Sequence, residues 1–377
     1  MKKLLMIPGP TPVLRSIQDE MGRETIAFGD AKFVGDFRAV LSDLKDLFDC
    51  SGEVFVISGS GTLAMEAAAA NSTSPGDDVL IISHGYFSDR FLEIFERKGR
   101  NVDVLKAEWG KVVDLKDIEA KLSEKKYSAV VVTHVDTSTG AMADVAAIGE
   151  ILKKYPETIY IVDGVCATAG IDEKVNSMNI DILLTASQKA FGVAPGLAML
   201  WVNEKALSRR KELGTISEYY CDFEKWIPIM NNPALYFATP PVNLIWALKE
   251  AVRIIKQEGI EERYARHKRN AFAIQKAIEA LGFTILADEN NRAYTLSNVL
   301  YPENVDDVGF RTALAEEGVQ VAGGIGPYAG KMFRLGHMGN IDKHDIVSVL
   351  SAVERTAIRN NMPVEYGTAV KVFENNL

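Results

Sequence analysis

Short apolar runs alternate with stretches of helical periodicity through the first half of the chain. Val54–Ile57, Val79–Ile82, Val102–Leu105, Ala129–Thr133, Ile159–Val162, Ile182–Leu184 and Ala198–Val202 are too short for helices and read as buried strands. Between them, Leu63–Ala70, Phe87–Lys98, Asp117–Lys121 and Ile148–Lys154 carry helical patterns, and Ser42–Phe48 adds another before the first strand. This alternation predicts an α/β fold. A large unit would hold a mostly parallel seven-stranded sheet with helices on both faces.

The pattern changes after Ala206. Residues 214–240 carry Tyr219, Tyr220, Trp226 and Tyr236 with Pro228, Pro233 and Pro240 and no clear period, so they read as an irregular excursion along an interface. Long helical patterns follow over Asn243–Gln257 and Ile260–Ala280. The tail mixes strand runs (Phe283–Ile285, Thr295–Tyr301, Met332–Leu335) with helical ones (Val308–Glu317, Ile341–Arg359), as an α+β unit does. The expected division is an N-terminal segment at 1–15, a large domain at 16–254 and a smaller C-terminal domain at 255–377.

Composition narrows the function. Hydrophobic residues make up 47% and charged residues 25% of 377, the balance of a globular protein in water. A net charge of −9 and the lack of any Lys/Arg-rich run argue against nucleic acid. The apolar stretch Leu4–Ile7 is cut short by Pro8-Gly9-Pro10, too soon for a signal peptide, and no run reaches membrane length. Cys50, Cys166 and Cys221 form no disulfide framework, so a cytoplasmic setting is expected. Scattered histidines without an HExxH pattern predict no metal.

The chemistry gathers at strand ends. Ser58-Gly-Ser-Gly-Thr62 opens a helix, where free N–H groups and the dipole favour an anion. Gly59-Ser-Gly-Thr-Leu-Ala64 also fits a GxGxxA dinucleotide fingerprint, which leaves a nicotinamide-dependent dehydrogenase as an alternative. That reading needs an acid at the end of the next strand, whereas Asp77 and Asp78 precede it and its end reads Ile82-Ser-His-Gly85. Phe87 follows this end and offers either a flat ring for a ligand or the first core contact of a helix. Thr133–Gly140 is a hydroxyl-rich strand end, suited to a polar ligand or to a plain turn. Asp163 ends an apolar strand, where a carboxylate needs a cation, a helix N–H or a salt bridge. Lys189 lies 26 residues further, among small uncharged neighbours and before Gly192, Pro195 and Gly196. An anion turn, a ring platform, a buried acid and an amine at one sheet edge together describe a pocket for pyridoxal phosphate. Its phosphate would go to Ser60, Gly61 and Thr62, its ring to Phe87, its pyridine nitrogen to Asp163 and its aldehyde to Lys189.

These motifs resemble those of the class V aminotransferases of fold type I, in particular the alanine–glyoxylate (serine–pyruvate) enzymes. Ile7-Pro-Gly-Pro-Thr11, Ser58–Thr62, Trp109-Gly-Lys-Val-Val-Asp114, Thr133–Gly140, Ser187-Gln-Lys189, Tyr236-Phe-Ala-Thr239 and Phe333-Arg-Leu-Gly336 follow the family's order along nearly the whole chain. The resemblance implies that Thr137, Val165 and Gln188 contact the cofactor and that Gly9 and Arg334 contact the substrate. It implies that Tyr236 and Thr239 reach the phosphate of a neighbouring subunit, in a homodimer with shared active sites. The implied reaction is a ping-pong transfer between a small amino acid (alanine or serine) and a 2-oxo acid (glyoxylate or pyruvate), with Lys189 moving the proton. A 2-aminoethylphosphonate–pyruvate transaminase is the nearest alternative. The chain departs from the family in having Phe87 where Trp is common, Asp136 where Glu is common and Cys166 where Ser is common.

Overall fold

The seven apolar runs form one sheet. The computed structural model describes residues 3–377; the first two residues of the expected N-terminal segment lie outside the described residues. The strands are β1 (Glu53–Ser58), β2 (Asp78–Ser83), β3 (Asn101–Lys106), β4 (Ala129–Thr133), β5 (Ile159–Asp163), β6 (Ile182–Ala186) and β7 (Leu197–Val202). Their order across the sheet is β1-β7-β6-β5-β4-β2-β3. Only β7 runs antiparallel to its neighbours. The carboxyl ends of β1, β2, β4, β5 and β6 therefore share one edge, and β7 begins there, with Leu197 opposite Ser58. Strands β4 to β7 are buried at every position, as a sheet covered on both faces requires.

Helices α1 (Arg15–Met21) and α2 (Ala31–Leu47) precede the sheet, and α3 (Gly61–Ser72), α4 (Tyr86–Arg97), α5 (Leu115–Glu124) and α6 (Val145–Leu152) connect its strands. Two expectations need correction. The first helical pattern is not confined to Ser42–Phe48. Helix α2 starts at Ala31, capped by the Asp30 carboxylate on the Lys32 N–H, and buries Phe33, Phe37, Val40, Leu41, Leu44 and Leu47. Lys32, Gly35, Asp36 and Arg38 dilute that stripe enough to hide it. Nor is the stretch 214–240 wholly irregular. After α7 (Glu204–Glu212) it contains α8 (Phe223–Asn231), capped by Asp222 and burying Phe223, Trp226, Ile229 and Met230. Pro228 lies inside that helix, so a residue read as a breaker is accommodated.

Helices α9 (Val242–Glu258) and α10 (Ile260–Ala280) lead into a second sheet. It is antiparallel, in the order β8-β9-β11-β10, from β8 (Thr284–Ile285), β9 (Leu296–Leu300), β10 (Ala322–Gly323) and β11 (Met332–Gly336). Helices α11 (Asp307–Glu316), α12 (Lys343–Arg359) and α13 (Thr368–Asn375) complete this unit. Buried apolar side chains fall into two clusters. Trp246, Leu248 and Ile255 of α9 belong to the first, with the seven-stranded sheet. Ala273, Ile274 and Ile278 of α10 belong to the second, with Phe283, Phe310 and Phe333. Leu4–Leu5 pairs in parallel with Val319–Gln320, and Met6 is buried in the second cluster, so this segment packs with the second unit. Among the described residues no helix is long and apolar enough to cross a membrane, and no cluster of His, Cys, Asp and Glu could hold a metal ion.

Candidate active site

The carboxyl edge of the seven-stranded sheet opens into one cavity. Ser60, Gly61, Thr62, Phe87, Thr137, Asp163, Val165, Gln188 and Lys189 all line it, with Met65, Arg90, Thr133, Val135 and Cys166. Strand register brings them together, because Thr133 pairs with Asp163 and Asp163 with Leu184. The turn after β1 is tied to the start of β7 by the Gly59 N–H on the Gly196 carbonyl at 2.9 Å. Ser60 takes the N-cap position of α3, but its side chain does not cap the helix. The first N–H groups of α3 and the Ser60 hydroxyl are left to face a ligand.

Phe87 is held by its backbone. The Asp136 carboxylate accepts the N–H groups of Phe87 and Ser88, each at 2.9 Å, and so anchors the start of α4. The same carboxylate accepts the Ser138 hydroxyl at 2.6 Å. Gly85 permits this approach, since a Cβ there would fall 2.4 Å from the Asp136 Cγ. The sequence marked Asp136 only as a departure; its work as an anchor for the ring platform was not legible.

Asp163 is 2% exposed, and among the described residues its carboxylate has one hydrogen bond, from the Val165 N–H at 2.9 Å. Burial pushes its carboxyl up from 3.8 to about 7; the charges of Asp136 and Glu173 add to that, against the Val165 N–H and Lys189. Lys189 stands at the end of the next strand, and its Nζ donates to the Pro8 carbonyl. The N-terminal segment clamps this stretch. Thr11 donates its N–H to Gln188 O at 3.0 Å and its hydroxyl to Lys189 O at 2.8 Å. Gly9 has φ +113, and a Cβ on it would lie 2.5 Å from the Lys189 Cδ, so any side chain there displaces the lysine.

Arg334 comes from the second sheet. It pairs in register with Asn298 of β9, whose amide donates to the Thr137 carbonyl at 3.2 Å. That contact ties β9 of the second sheet to a cavity-lining residue; Arg334 itself does not line the cavity. The Arg334 Nε donates to the Gly323 carbonyl at 2.8 Å, and no carboxylate lies within ion-pair distance of its guanidinium among the described residues. Tyr236 and Thr239 do not line the cavity and are exposed, Tyr236 at 69%. Of the five lining residues outside the predicted set (Met65, Arg90, Thr133, Val135 and Cys166), two have polar contacts that bear on the chemistry. Cys166 places its thiol 3.5 Å from the Thr137 hydroxyl. Arg90 donates to the Thr62 hydroxyl at 3.0 Å and lies over the Phe87 ring, and its i+3 spacing from Phe87 was the available signal.

The cavity fits pyridoxal phosphate on its own chemistry. A buried carboxyl short of a cation suits a protonated ring nitrogen, and an uncapped helix start suits a phosphate. Gln188 Oε1 and Thr133 Oγ1 are buried in its lining without a hydrogen-bond partner among the described residues. A dinucleotide fits less well. The βαβ fingerprint needs parallel neighbouring strands, whereas β1 is an edge strand paired antiparallel with β7.

Known proteins agree with this geometry. The family described as "Aminotransferase class-V" matches residues 27–336. An uncharacterized aminotransferase of Methanocaldococcus jannaschii is 37% identical, over 94% of this chain and 92% of that protein. Alanine–glyoxylate aminotransferase 1 of Saccharomyces cerevisiae is 35% identical, over 89% of this chain and 91% of that one. The crystal structure of ureidoglycine–glyoxylate aminotransferase from Bacillus subtilis superimposes with a TM-score of 0.94 at 30% identity, covering 100% of this chain and 98% of that one.

Proposed function

The chain belongs to the class V, pyridoxal-phosphate-dependent aminotransferases, and on that premise we propose that it moves an amino group from a small amino acid, alanine or serine, to glyoxylate or pyruvate. The observation that carries this reading is the meeting of Asp163 and Lys189 in one cavity with the Ser60–Thr62 turn; Arg334 lies outside its lining, on the strand paired with Asn298, which bonds the cavity residue Thr137. The yeast and Bacillus relatives share glyoxylate in their names and differ in the donor, which favours glyoxylate as the acceptor.

Bound pyridoxal phosphate supplies a carbonyl to take up the amino group and a ring to accept electron density. Ser60, Gly61 and Thr62 would hold its phosphate, and Phe87 would cover its ring. Thr137, Val165 and Gln188 would fix its edge. The Asp163 carboxylate would pair with the ring nitrogen and keep it protonated. Lys189 Nζ would move a proton off the substrate Cα in one half-reaction and put one onto the keto acid's carbon in the other, passing it on within each half-reaction. Arg334 presents paired N–H donors to the substrate carboxylate, a geometry that a lysine cannot reproduce. Gly9 leaves room for the amine to swing. Residues 16–254 form the cofactor domain and 255–377 a smaller domain that carries Arg334 to it. Tyr236 and Thr239 serve the phosphate of a partner subunit, which makes the working unit a homodimer with shared sites. Buried, unpaired Cys50, Cys166 and Cys221 suit a reducing cytoplasm.

The test is spectroscopic and kinetic. The purified protein should absorb in the visible, and borohydride should fix the cofactor to Lys189. A panel of alanine, serine, aspartate and aminoethylphosphonate against glyoxylate and pyruvate should then show turnover with the first two donors. A protein that takes up no pyridoxal phosphate, or that turns over only the phosphonate, sinks the reading.

A further inference from the structure

The anion end of the cavity is poor in fixed charge. Among its lining residues the cations are Lys189 and Arg90. Lys189 is occupied with the carbonyl, so it is no permanent counter-charge. The N-terminus of α3 contributes the equivalent of about half a positive charge. A phosphate monoester brings between about −1.5 and −2 at neutral pH. The chain as a whole, at −9, offers no general attraction for such an anion.

Arg90 stands where that charge is needed. Its Nη1 donates to the Thr62 Oγ1 at 3.0 Å, in the turn that opens α3. Its guanidinium lies 4.8 Å from the centre of the Phe87 ring and 5.7 Å from that of Tyr86. No carboxylate is within ion-pair distance of it among the described residues. The acids nearest on its own helix are committed elsewhere. Asp89 binds the Ser83 hydroxyl and Lys106, each at 2.6 Å, and Glu93 binds Arg97 at 2.6 Å. Because the Thr62 oxygen accepts from Arg90, its one O–H remains to donate. A hydroxyl held this way, beside a free guanidinium and free helix N–H groups, is arranged to receive an anion.

We propose that Arg90, acting with the Thr62 hydroxyl, is the fixed counter-charge of the cofactor's phosphate. The inference rests on the cofactor reading above and adds a residue to it. It also links two parts of the site, since the guanidinium that neutralises the phosphate lies on the ring that covers the cofactor.

The experiment compares wild-type, Arg90→Gln and Arg90→Lys apoproteins. Each is titrated with pyridoxal phosphate, with pyridoxal lacking the phosphate, and with inorganic phosphate followed by thermal shift. Arg90→Gln should weaken pyridoxal phosphate by about ten- to a hundredfold, the range for losing a charge-assisted bond. Pyridoxal binding should stay within about twofold, and inorganic phosphate should stabilise the variant less than the wild type. Arg90→Lys should recover part of the loss by restoring charge without the fork. Equal losses for pyridoxal and its phosphate would overturn the proposal, because Arg90 would then only brace Phe87. So would unchanged affinity for both. A wild-type apoprotein that binds pyridoxal but gains nothing from the phosphate would remove Arg90's role alone, whereas one that binds neither would remove the cofactor reading and this inference with it.

Discussion

Two buried aspartates stand at opposite ends of the seven-stranded sheet. Asp181 precedes β6 at the amino end and is 1% exposed; Asp163 closes β5 at the carboxyl end and is 2% exposed. Asp181 accepts the Tyr160 N–H at 2.7 Å, the Asn203 amide at 2.8 Å and the Lys205 ammonium at 2.8 Å. Asp163 has the Val165 N–H, and its carboxyl is pushed up to about 7. Residue type, burial and sheet are the same. At the amino end the protein offsets the desolvation of the charge with its own groups. At the carboxyl end it stops short. Two arginines repeat the contrast. Arg263 spends its donors on Ala169 O at 2.9 Å, Ala190 O at 2.7 Å and Glu258 at 2.7 Å, which ties the loops after β5 and β6 together. Arg334 has one carbonyl. A charge whose bonding is complete within the chain is part of the scaffold. One left incomplete near the carboxyl edge, as at Asp163 and Arg334, is the expected mark of a ligand-facing group, and substitution at each position tests it.

The largest effect should come from Lys189, the amine of the incomplete end. Lys189→Ala should lower turnover by about 10⁴-fold or more, since both the attachment point and the proton carrier go. Thermal stability should hold, because Lys189 closes no ion pair among the described residues and donates only to a carbonyl. Rapid-mix kinetics showing wild-type turnover in that variant would break the comparison at its centre.

The two aspartates should then respond in opposite ways. Asp163→Asn should cost about a hundred- to a thousandfold in turnover, the loss of one well-placed charge in a dry site. Asp181→Asn should cost about 1–2 kcal/mol of stability by removing the charge that pairs with Lys205, which keeps the Thr158 carbonyl, with activity per folded molecule unchanged. The pH dependence has a definite sign. The native Asp163 carboxyl is raised from 3.8 to about 7. Between those values the native state holds a proton that the unfolded chain has released. Its contribution to apoprotein stability is therefore full below about pH 4 and is lost as pH rises through about 7. Melting curves of the apoprotein from pH 5 to 8 should show that decline, and Asp163→Asn should flatten it. An equal slope in both proteins would mean that another group titrates.

The arginines give the next smaller effect. Arg334→Gln should raise KM for the amino acid by about ten- to a hundredfold and leave the melting point nearly unchanged. Arg263→Gln should do the reverse, because it leaves two buried backbone carbonyls without their donor and Glu258 with Arg266 alone. Loss of stability in Arg334→Gln would place that residue with the scaffold.

The complete and incomplete ends were not equally legible in the sequence. Strand ends announce themselves through apolar runs that stop at a polar residue, so Asp163, Lys189 and the Ser60 turn could be placed before any coordinates. The central strands were legible for the same reason, since continuous burial writes continuous apolar runs; the edge strand Asn101–Lys106, with no buried position, showed only the apolar residues Val102, Val104 and Leu105. Helix α2 was largely hidden, because a one-sided stripe is diluted by the polar residues it faces outward. Helix α8 was hidden by Pro228 and by aromatic residues that fit no short period. The bracing of Phe87 by Asp136 spans 49 residues and depends on how two strand ends meet, which no local pattern records. Arg90 was visible only as a spacing, and its lack of a carboxylate partner is a three-dimensional fact.

Tyr236 should give the smallest effect and the sharpest question about where the incomplete end finishes. In a single chain Tyr236 is 69% exposed and leans on Phe28, with ring centres 5.8 Å apart. Removing its hydroxyl from a solvated position should leave stability within about 0.5 kcal/mol. If that hydroxyl binds a partner subunit's cofactor phosphate, Tyr236→Phe should weaken cofactor retention by about fivefold, the value of one hydrogen bond. Exposure alone predicts no change. A mixed dimer separates the two cases. Joined to Lys189→Ala, a Tyr236→Phe subunit keeps its own Lys189 and receives an intact tyrosine from across the interface. The active site of that hybrid should hold pyridoxal phosphate as tightly as wild type, while the Tyr236→Phe homodimer does not. Equal retention in the hybrid and the homodimer would show that each chain completes the phosphate end by itself, and that Tyr236 is exposed for another reason.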